Sequence, residues 1–465
     1  MGQYEKFEKV RRQLNDVGAG FCLAKWMQVT LHLHIGHNHS CHHPQTHKIS
    51  TTEIDRDPSA LHNTRYKKER RREMLEGKKP SECDYCWGVE DNSNQFSDRH
   101  FKSAEPWAYP QLDKIKNMHW RDNINPSYVE VSFSNACNFK CSYCAPPFSS
   151  KWMEEIEQHG AYPTSDKFNG LDHFKHSGRI PIPQNEHNPY VEAFWEWWPE
   201  LYQDLHTFRI TGGEPMMHKD TMKVLDYIID SPSPNRNLCL SINSNLGVPE
   251  SLYQKFREKF KIISERELVK ELIIFTSCDG YGEQAEYIRN GMGYNQLMDR
   301  IDDLLYYIPR LTVDIMSTYN ILSVPSYKKL INDVYALKAK HTNAIRYYKQ
   351  PLLLDASYLR FPNHQSITLL DQKEWESEFF EQAQLMDFYD LTRTDQNTFG
   401  YSDVEVVKIR RIYDYFMGDV DEFAREHHRK DFYKFFSEHD KRRGTDFCKT
   451  YPELADFYHK CKEIR

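Results

Sequence analysis

Apolar and polar positions follow two different periods along this chain. Between Tyr128 and about Asp355, short apolar runs recur at Tyr128–Phe133, Thr207–Thr211, Leu238–Asn243, Leu272–Cys278, Leu311–Thr318 and Ala344–Tyr348. Each run has strand length, and longer stretches of helical spacing lie between them, among them Thr221–Ile229, Glu250–Phe260 and Tyr294–Ile308. Strands alternating with helices predict an α/β fold with a parallel sheet, either barrel or doubly wound. The loops at the carboxyl ends of such strands carry the chemistry. Ahead of this region, Val29–His34 alternates as a strand does and Ile35-Gly36-His37-Asn38 reads as a turn. Asn63–Gly77 reads as a charged helix closed by Gly77, with Pro80 beyond. Residues 360–465 carry aromatic residues and Leu at three- and four-residue spacings and predict mainly helix. The pattern sets three regions, 1–126, 127–358 and 359–465. Pro181–Pro189 reads as an exposed insertion, and no internal repeat is present.

Composition adds little to the fold but narrows the function. A formal net charge of -7 excludes a whole-chain electrostatic clamp for nucleic acid or an anionic membrane. The 9 Trp, 29 Tyr and 26 Phe argue against disorder. Met1–Asp16 is highly charged without an apolar segment, so no signal peptide is expected. No run of about 18 apolar residues occurs, so no membrane span is expected. The expectation is a cytoplasmic protein whose 11 cysteines are reduced, where closely spaced Cys read as metal or redox sites.

Cys137, Cys141 and Cys144 form C-x3-C-x2-C directly after the strand Tyr128–Phe133. Thiolates suit zinc and iron–sulfur clusters. Three close ligands leave one coordination position open, as a catalytic site requires; a zinc site with a distant fourth ligand is the alternative. Thr211-Gly212-Gly213-Glu214-Pro215 follows the next strand. Glycine permits close backbone approach, and a carboxylate pairs well with an ammonium. Ser277-Cys278-Asp279-Gly280 closes a later strand, with Arg289 twelve residues after Ser277.

Together these segments resemble the radical S-adenosylmethionine (radical SAM) superfamily. The resemblance implies a partial (βα)6 barrel in which Cys137, Cys141 and Cys144 hold a [4Fe–4S] cluster. S-adenosylmethionine chelates the unique iron, and its reductive cleavage gives a 5′-deoxyadenosyl radical that abstracts a substrate hydrogen. Gly212, Gly213 and Glu214 would hold the methionine amino group, Ser277 would touch the cofactor and Arg289 its carboxylate. Tyr143 would pack beside the adenine, Asn243 face the ribose and Leu352 contact the adenine after the sixth strand. Asp279 is a candidate proton carrier, or else orders its loop.

Cys22 and Cys41, with Gly36 between them, are followed by Cys83 and Cys86 in Cys-Asp-Tyr-Cys-Trp. On chemistry alone, four thiols make a closed site for zinc or an iron–sulfur cluster. The spacing resembles the twitch domain, a shortened SPASM domain that binds an auxiliary [4Fe–4S] cluster. Here that element precedes the barrel instead of following it. The chain is similar to twitch-domain radical SAM proteins with this order, over roughly residues 20–355. The resemblance implies a reductant such as flavodoxin or ferredoxin, and a peptide or protein substrate ahead of a carbohydrate or nucleoside derivative. The contrasting function is a zinc-stabilised binding protein with an inactive barrel.

The tract His32, His34, His37, His39, His42, His43 and His47 reads as a hydrogen-bonded shell or a substrate-facing surface near Cys41, ahead of a direct metal-ligand role. The run Lys67–Arg72 reads as a solvated helix face. Cys239 and Cys278 read as core thiols, and Cys448 and Cys461 carry no motif.

Overall fold

The computed structural model describes residues 3–166, 169–341, 350–390 and 399–464. In chain order its strands are β1 (Gln28–His32), β2 (His37–His39), β3 (His47–Lys48), β4 (Tyr128–Ser132), β5 (Lys140–Cys141) and β6 (Thr207–Thr211), then β7 (Cys239–Asn243), β8 (Glu271–Ser277), β9 (Arg289–Asn290), β10 (Leu311–Tyr319) and β11 (Leu352–Tyr358). The chain divides into two compact units. The first comprises Met1–Ser134, Pro181–Gly212 and Pro232–Ser241, the second Asn135–Ile180, Gly213–Ser231 and Ile242–Arg465.

In the first unit, β1 turns back into β2 with Thr30 opposite His39, and β2 pairs with β3. The turn is shorter than expected, because His37 and Asn38 belong to β2. β1 also runs parallel to β4, from Gln28 against Tyr128 to His32 against Ser132. β4 runs parallel to β6. Val29, Leu31, Val129, Val131, Phe208 and Ile210 are fully buried, which is the period of two that the sequence shows. The helix Pro189–Asp204, capped by Asn188, buries Phe194, Trp198 and Leu201. A second core gathers Leu14, Phe21, Trp26, Met74 and Ile115. β4 is bonded to β1 and β6 to β4, so both strands pack with the N-terminal region.

In the second unit, β8, β10 and β11 are parallel, with Leu311 against Leu272 and Tyr319 against Tyr358. The helices Glu250–Glu265, Tyr294–Tyr307 and Tyr327–Lys340 bury apolar residues three or four apart, such as Leu297, Ile301 and Leu304. The helices Gln372–Asp390, Asp403–Phe416 and Glu422–Arg443 belong to this same unit. The architecture is mixed α/β with a parallel sheet, as the pattern predicts. The strand expected at Ala344–Tyr348 lies outside the described residues. The strand paired with β10 begins at Leu352.

Candidate functional site

The loop after β4 carries Cys137, Cys141 and Cys144. β5 pins its middle by pairing antiparallel with β9, which sets Cys141 opposite Arg289. Ser142 N donates to Ile288 O at 2.8 Å, and Trp152 Nε1 donates to Cys141 O at 2.8 Å. Cys137 N donates to Ser150 Oγ at 3.1 Å. The three cysteines are half-buried and form no disulfide. Burial pushes Cys137 up to about 12, and the neighbouring Cys141 adds to it. Burial and both partner cysteines raise Cys144. Thiols in such surroundings keep their protons until a cation compensates the thiolates.

Residues of two motifs, together with Thr318 of β10, meet at this loop. Asp279, fully buried after β8, accepts from Arg289 Nε at 2.7 Å and Arg289 Nη2 at 3.1 Å. It also accepts from Tyr143 OH at 2.7 Å and from Thr318 N at 2.8 Å. Arg289 Nη1 donates to Cys141 Sγ at 3.6 Å, and its guanidinium carbon stands 5.5 Å from the Tyr143 ring centroid. Four donors thus occupy Asp279 and tie the loop after β8 to Tyr143, Arg289 and β10. Ser277 closes β8 and Asn243 closes β7, both half-buried.

The glycines of the Gly-Gly-Glu-Pro turn are required sterically. Gly212 has φ +122°, and a Cβ there would meet Ser134 O at 2.6 Å. At Gly213 a Cβ would meet Ala136 O at 2.2 Å and Asn135 O at 2.6 Å, both of them backbone atoms. Glu214 N donates to Ala136 O at 2.6 Å, which ties the turn to the cysteine loop. The Glu214 carboxylate is 1% exposed and accepts from Ser244 Oγ at 2.7 Å, Asn245 N at 2.6 Å and Met216 N at 3.0 Å. Burial outweighs these bonds and raises it to about 7. Sequence reasoning missed Ser244 and Asn245; their position just past the end of β7 is the signal that marks them.

Leu352 requires a correction. It opens β11, is fully buried and pairs with Val313. Thr318, which holds Asp279, lies five residues further along β10, roughly 17 Å at 3.3 Å per residue. Leu352 is thus a core residue at the amino end of its strand, away from the cysteine loop, and not a contact for an adenine.

In the first unit, Cys22, Cys41, Cys83 and Cys86 line one cleft together with His43 and Arg99. Cys22 precedes the short helix Ala24–Met27, and Cys41 follows β2. Cys83 and Cys86 flank the start of the helix Asp84–Asn92, where Trp87 Nε1 donates to Pro80 O at 2.8 Å and fixes the knuckle. Burial pushes Cys83 and Cys86 up to about 12; Cys22 and Cys41 add to both shifts. Among the described residues, no three His, Cys, Asp or Glu side chains are drawn together tightly enough to hold a single metal ion. Most of the histidine tract is hydrogen-bonded. His32 Nε2 and His39 Nε2 are 3.1 Å apart, His39 Nδ1 bonds Cys41 O, and His43 Nε2 bonds Asp98 Oδ2 at 2.7 Å. His37 and His47 bond Thr46 and Thr64. The Lys67–Arg72 run departs from expectation, because Lys67 and Arg71 point inward and are buried. Cys239, Cys278 and Cys461 are buried.

No family model matches the chain. It is 24% identical over 131 residues to a GTP 3′,8-cyclase of Sulfurimonas denitrificans, covering 28% of this chain and 31% of that one. It is 25% identical over 127 residues to the GTP 3′,8-cyclase of Shewanella denitrificans, covering 27% and 28%. The chain thus spans less than a third of the length of these curated relatives. The partial matches support the radical SAM superfamily. The residues at hand fit the iron–sulfur cluster and the S-adenosylmethionine that the resemblance implies: three cysteines on one pinned loop, the buried carboxylate of Glu214, and Arg289 beside Cys141. Among the described residues, no helix is long and apolar enough to cross a membrane.

Proposed function

We propose that this chain is a radical SAM enzyme with a second, auxiliary iron–sulfur cluster. The observation that carries the reading is the junction of Cys141, Tyr143, Asp279 and Arg289, which brings the cysteine loop and the Asp279–Arg289 segment to one place. Cys137, Cys141 and Cys144 would hold the [4Fe–4S] cluster. When bound, the cluster with S-adenosylmethionine supplies a strongly oxidising carbon radical that takes hydrogen from substrate.

The chain's own residues bind and orient. Glu214, ionised by a neighbouring ammonium, would receive the cofactor's amino group, and Gly213 lets it approach the backbone. Asp279 fixes the guanidinium of Arg289 through two donors. Arg289 retains further N–H groups for the cofactor carboxylate. Tyr143 is held to this pair through its hydroxyl and would flank the adenine, with Asn243 and Ser277 contributing from the ends of β7 and β8. Cys22, Cys41, Cys83 and Cys86 would hold the auxiliary [4Fe–4S] cluster in a twitch-like element ahead of a (βα)6 barrel. Four protein ligands leave that cluster no open position, so its role is electron transfer. A flavodoxin or ferredoxin in the cytoplasm would be the reductant.

A peptide or protein is the favoured substrate. A nucleoside derivative is the second reading, favoured by the partial likeness to proteins named for GTP. The test is anaerobic iron–sulfide reconstitution followed by dithionite and S-adenosylmethionine. Parent protein should form 5′-deoxyadenosine, and the Cys137→Ala/Cys141→Ala/Cys144→Ala variant should form none. Parent protein that takes up only zinc, or a triple variant that still cleaves the cofactor, defeats the reading.

A further inference from the structure

Two residues from the helical region after β11 reach the loop of Cys137, Cys141 and Cys144. Gln365 closes the short turn Asn363–Gln365 and is 0% exposed. Its side chain grips Ser142 twice. Ser142 Oγ donates to Gln365 Oε1 at 2.8 Å, and Gln365 Nε2 donates to Ser142 O at 3.1 Å. Gln365 O in turn accepts from Ile321 N at 3.0 Å, just past the end of β10. Arg443 is the last residue of the helix Glu422–Arg443, and its side chain is 1% exposed. Its Nη1 donates to Lys140 O at 2.7 Å and its Nε to Glu155 Oε2 at 3.2 Å. Glu155 also accepts from Lys140 Nζ and from Tyr162 OH, both at 2.6 Å. The Arg443 guanidinium carbon lies 5.2 Å from the ring centroid of Trp152, whose Nε1 holds Cys141 O.

Ser149 Oγ donates to Phe139 O at 2.8 Å, so four successive carbonyls, from Phe139 to Ser142, are each held by a side chain. A peptide whose carbonyl is held turns over only by breaking that bond, so the four bonds fix the direction of the peptide dipoles around Cys141. Hydrogen bonding, net charge and fixed dipoles about the sulfurs set the potential of an iron–sulfur cluster. Ser149 and Trp152 are near neighbours of the loop. Gln365 and Arg443 act from 223 and 303 positions further along the chain.

We propose that Gln365 and Arg443 are positioning residues of the cysteine site, which hold the peptide planes around Cys141 and Ser142 and thereby set the reduction potential of the cluster bound there. The proposal rests on the reading of Cys137, Cys141 and Cys144 as cluster ligands. It makes the C-terminal helical region part of that site. Arg443→Met removes a buried cation beside the loop, and Gln365→Met frees the Ser142 carbonyl; both changes disfavour the added electron.

The full chain is reconstituted anaerobically with iron and sulfide. The iron signal that changes on adding S-adenosylmethionine is followed by electron paramagnetic resonance through a redox titration. Gln365→Met, Arg443→Met and the charge-keeping Arg443→Lys are compared with the parent, and metal-free samples are followed by hydrogen exchange. In Gln365→Met and Arg443→Met the ratio of reduced to oxidised cluster should fall about tenfold at a fixed potential, a midpoint about 59 mV lower for one electron. Any iron signal that ignores S-adenosylmethionine should keep its midpoint. In metal-free protein, Ser142 N donates to Ile288 O at 2.8 Å and Cys144 N to Cys141 O at 3.0 Å. Both amides should exchange about tenfold faster in the two Met variants, while the Thr318 amide keeps its rate. Arg443→Lys should recover most of both effects. Should Arg443→Met fail to fold, Gln365→Met, which removes no charge, decides alone. Parental midpoints in the Met variants, a fall common to every iron signal, or faster exchange that spreads to Thr318 overturns the inference. Parent protein with no signal that responds to S-adenosylmethionine defeats the cluster reading itself. Parental exchange at Ser142 and Cys144 then overturns this inference as well, whereas faster exchange leaves both residues as anchors of the loop.

Discussion

Breaking the Asp279–Arg289 pair tests what orders the loop beside Cys141. Asp279 is fully buried, and the Arg289 side chain is 8% exposed, so water screens neither charge. In Asp279→Asn the guanidinium loses its counter-charge, and in Arg289→Met the carboxylate does; removal of one partner of a buried pair costs about 3–5 kcal/mol. The double variant leaves no buried charge, and the amide oxygen introduced by Asp279→Asn can still accept from Tyr143 OH or Thr318 N. It should cost less than either single change, a coupling of about 3 kcal/mol. A chain of two units does not unfold in one step, so the readout is native-state hydrogen exchange in β8 and β10, with the Thr318 amide as the direct reporter. Each single variant should lose roughly a hundredfold in protection there, and the double variant should regain most of it. Parental protection in the single variants, or a double variant no better than the worse single, refutes the reasoning. The double variant should still fail to form 5′-deoxyadenosine, since the Arg289 guanidinium is gone.

Glu214 gives a pH signature. Its pKa is about 7 in the folded chain against an ordinary 4.5, so the folded state holds the proton more tightly. The stability this contributes is complete below about pH 4.5 and is lost as pH rises to about 7, on the order of 3 kcal/mol, and Glu214→Gln should abolish that slope in the native-state exchange protection of the Asn245 amide in cofactor-free protein. Gly213→Ala forces a methyl group against Ala136 O and should eliminate S-adenosylmethionine cleavage while leaving auxiliary iron unchanged by metal analysis. Leu352→Ala should cost about 2–5 kcal/mol in the native-state exchange protection of β10 and β11 yet leave the cleavage rate unchanged at low temperature, because Leu352 is core. A large loss of rate in a folded Leu352→Ala protein would restore it to the site.

Strands and cysteine loops were legible because their signals are local. β6 occupies Thr207–Thr211 as the apolar run predicts, and the helix Glu250–Glu265 starts where its spacing does. Gly213 was legible because a turn that crowds a carbonyl accepts nothing larger. The Asp279 partnership was not, since the register of β5 against β9 brings Arg289 and Cys141 together. Leu352 was misplaced because the last strand was read at Ala344–Tyr348, which turned a strand's first residue into one beyond its end. Lys67 and Arg71 read as solvated because charge normally means surface. Their separation by four residues, one helical turn, was the cue that both share a face.

The parallel seam between β1 and β4 has a consequence for anyone shortening the protein. Residues one hundred positions earlier in the chain, Gln28 through His32, satisfy one side of β4. A fragment starting at residue 127 would carry that side bare, with free main-chain donors and acceptors and the buried faces of Val129 and Val131 beside them. Such an exposed strand recruits other copies of itself and comes out of solution. The cysteine-rich N-terminal region is therefore a lasting seal on the strand that leads into the loop of Cys137, Cys141 and Cys144, and a shorter fragment that keeps β4 intact cannot be obtained by trimming it away.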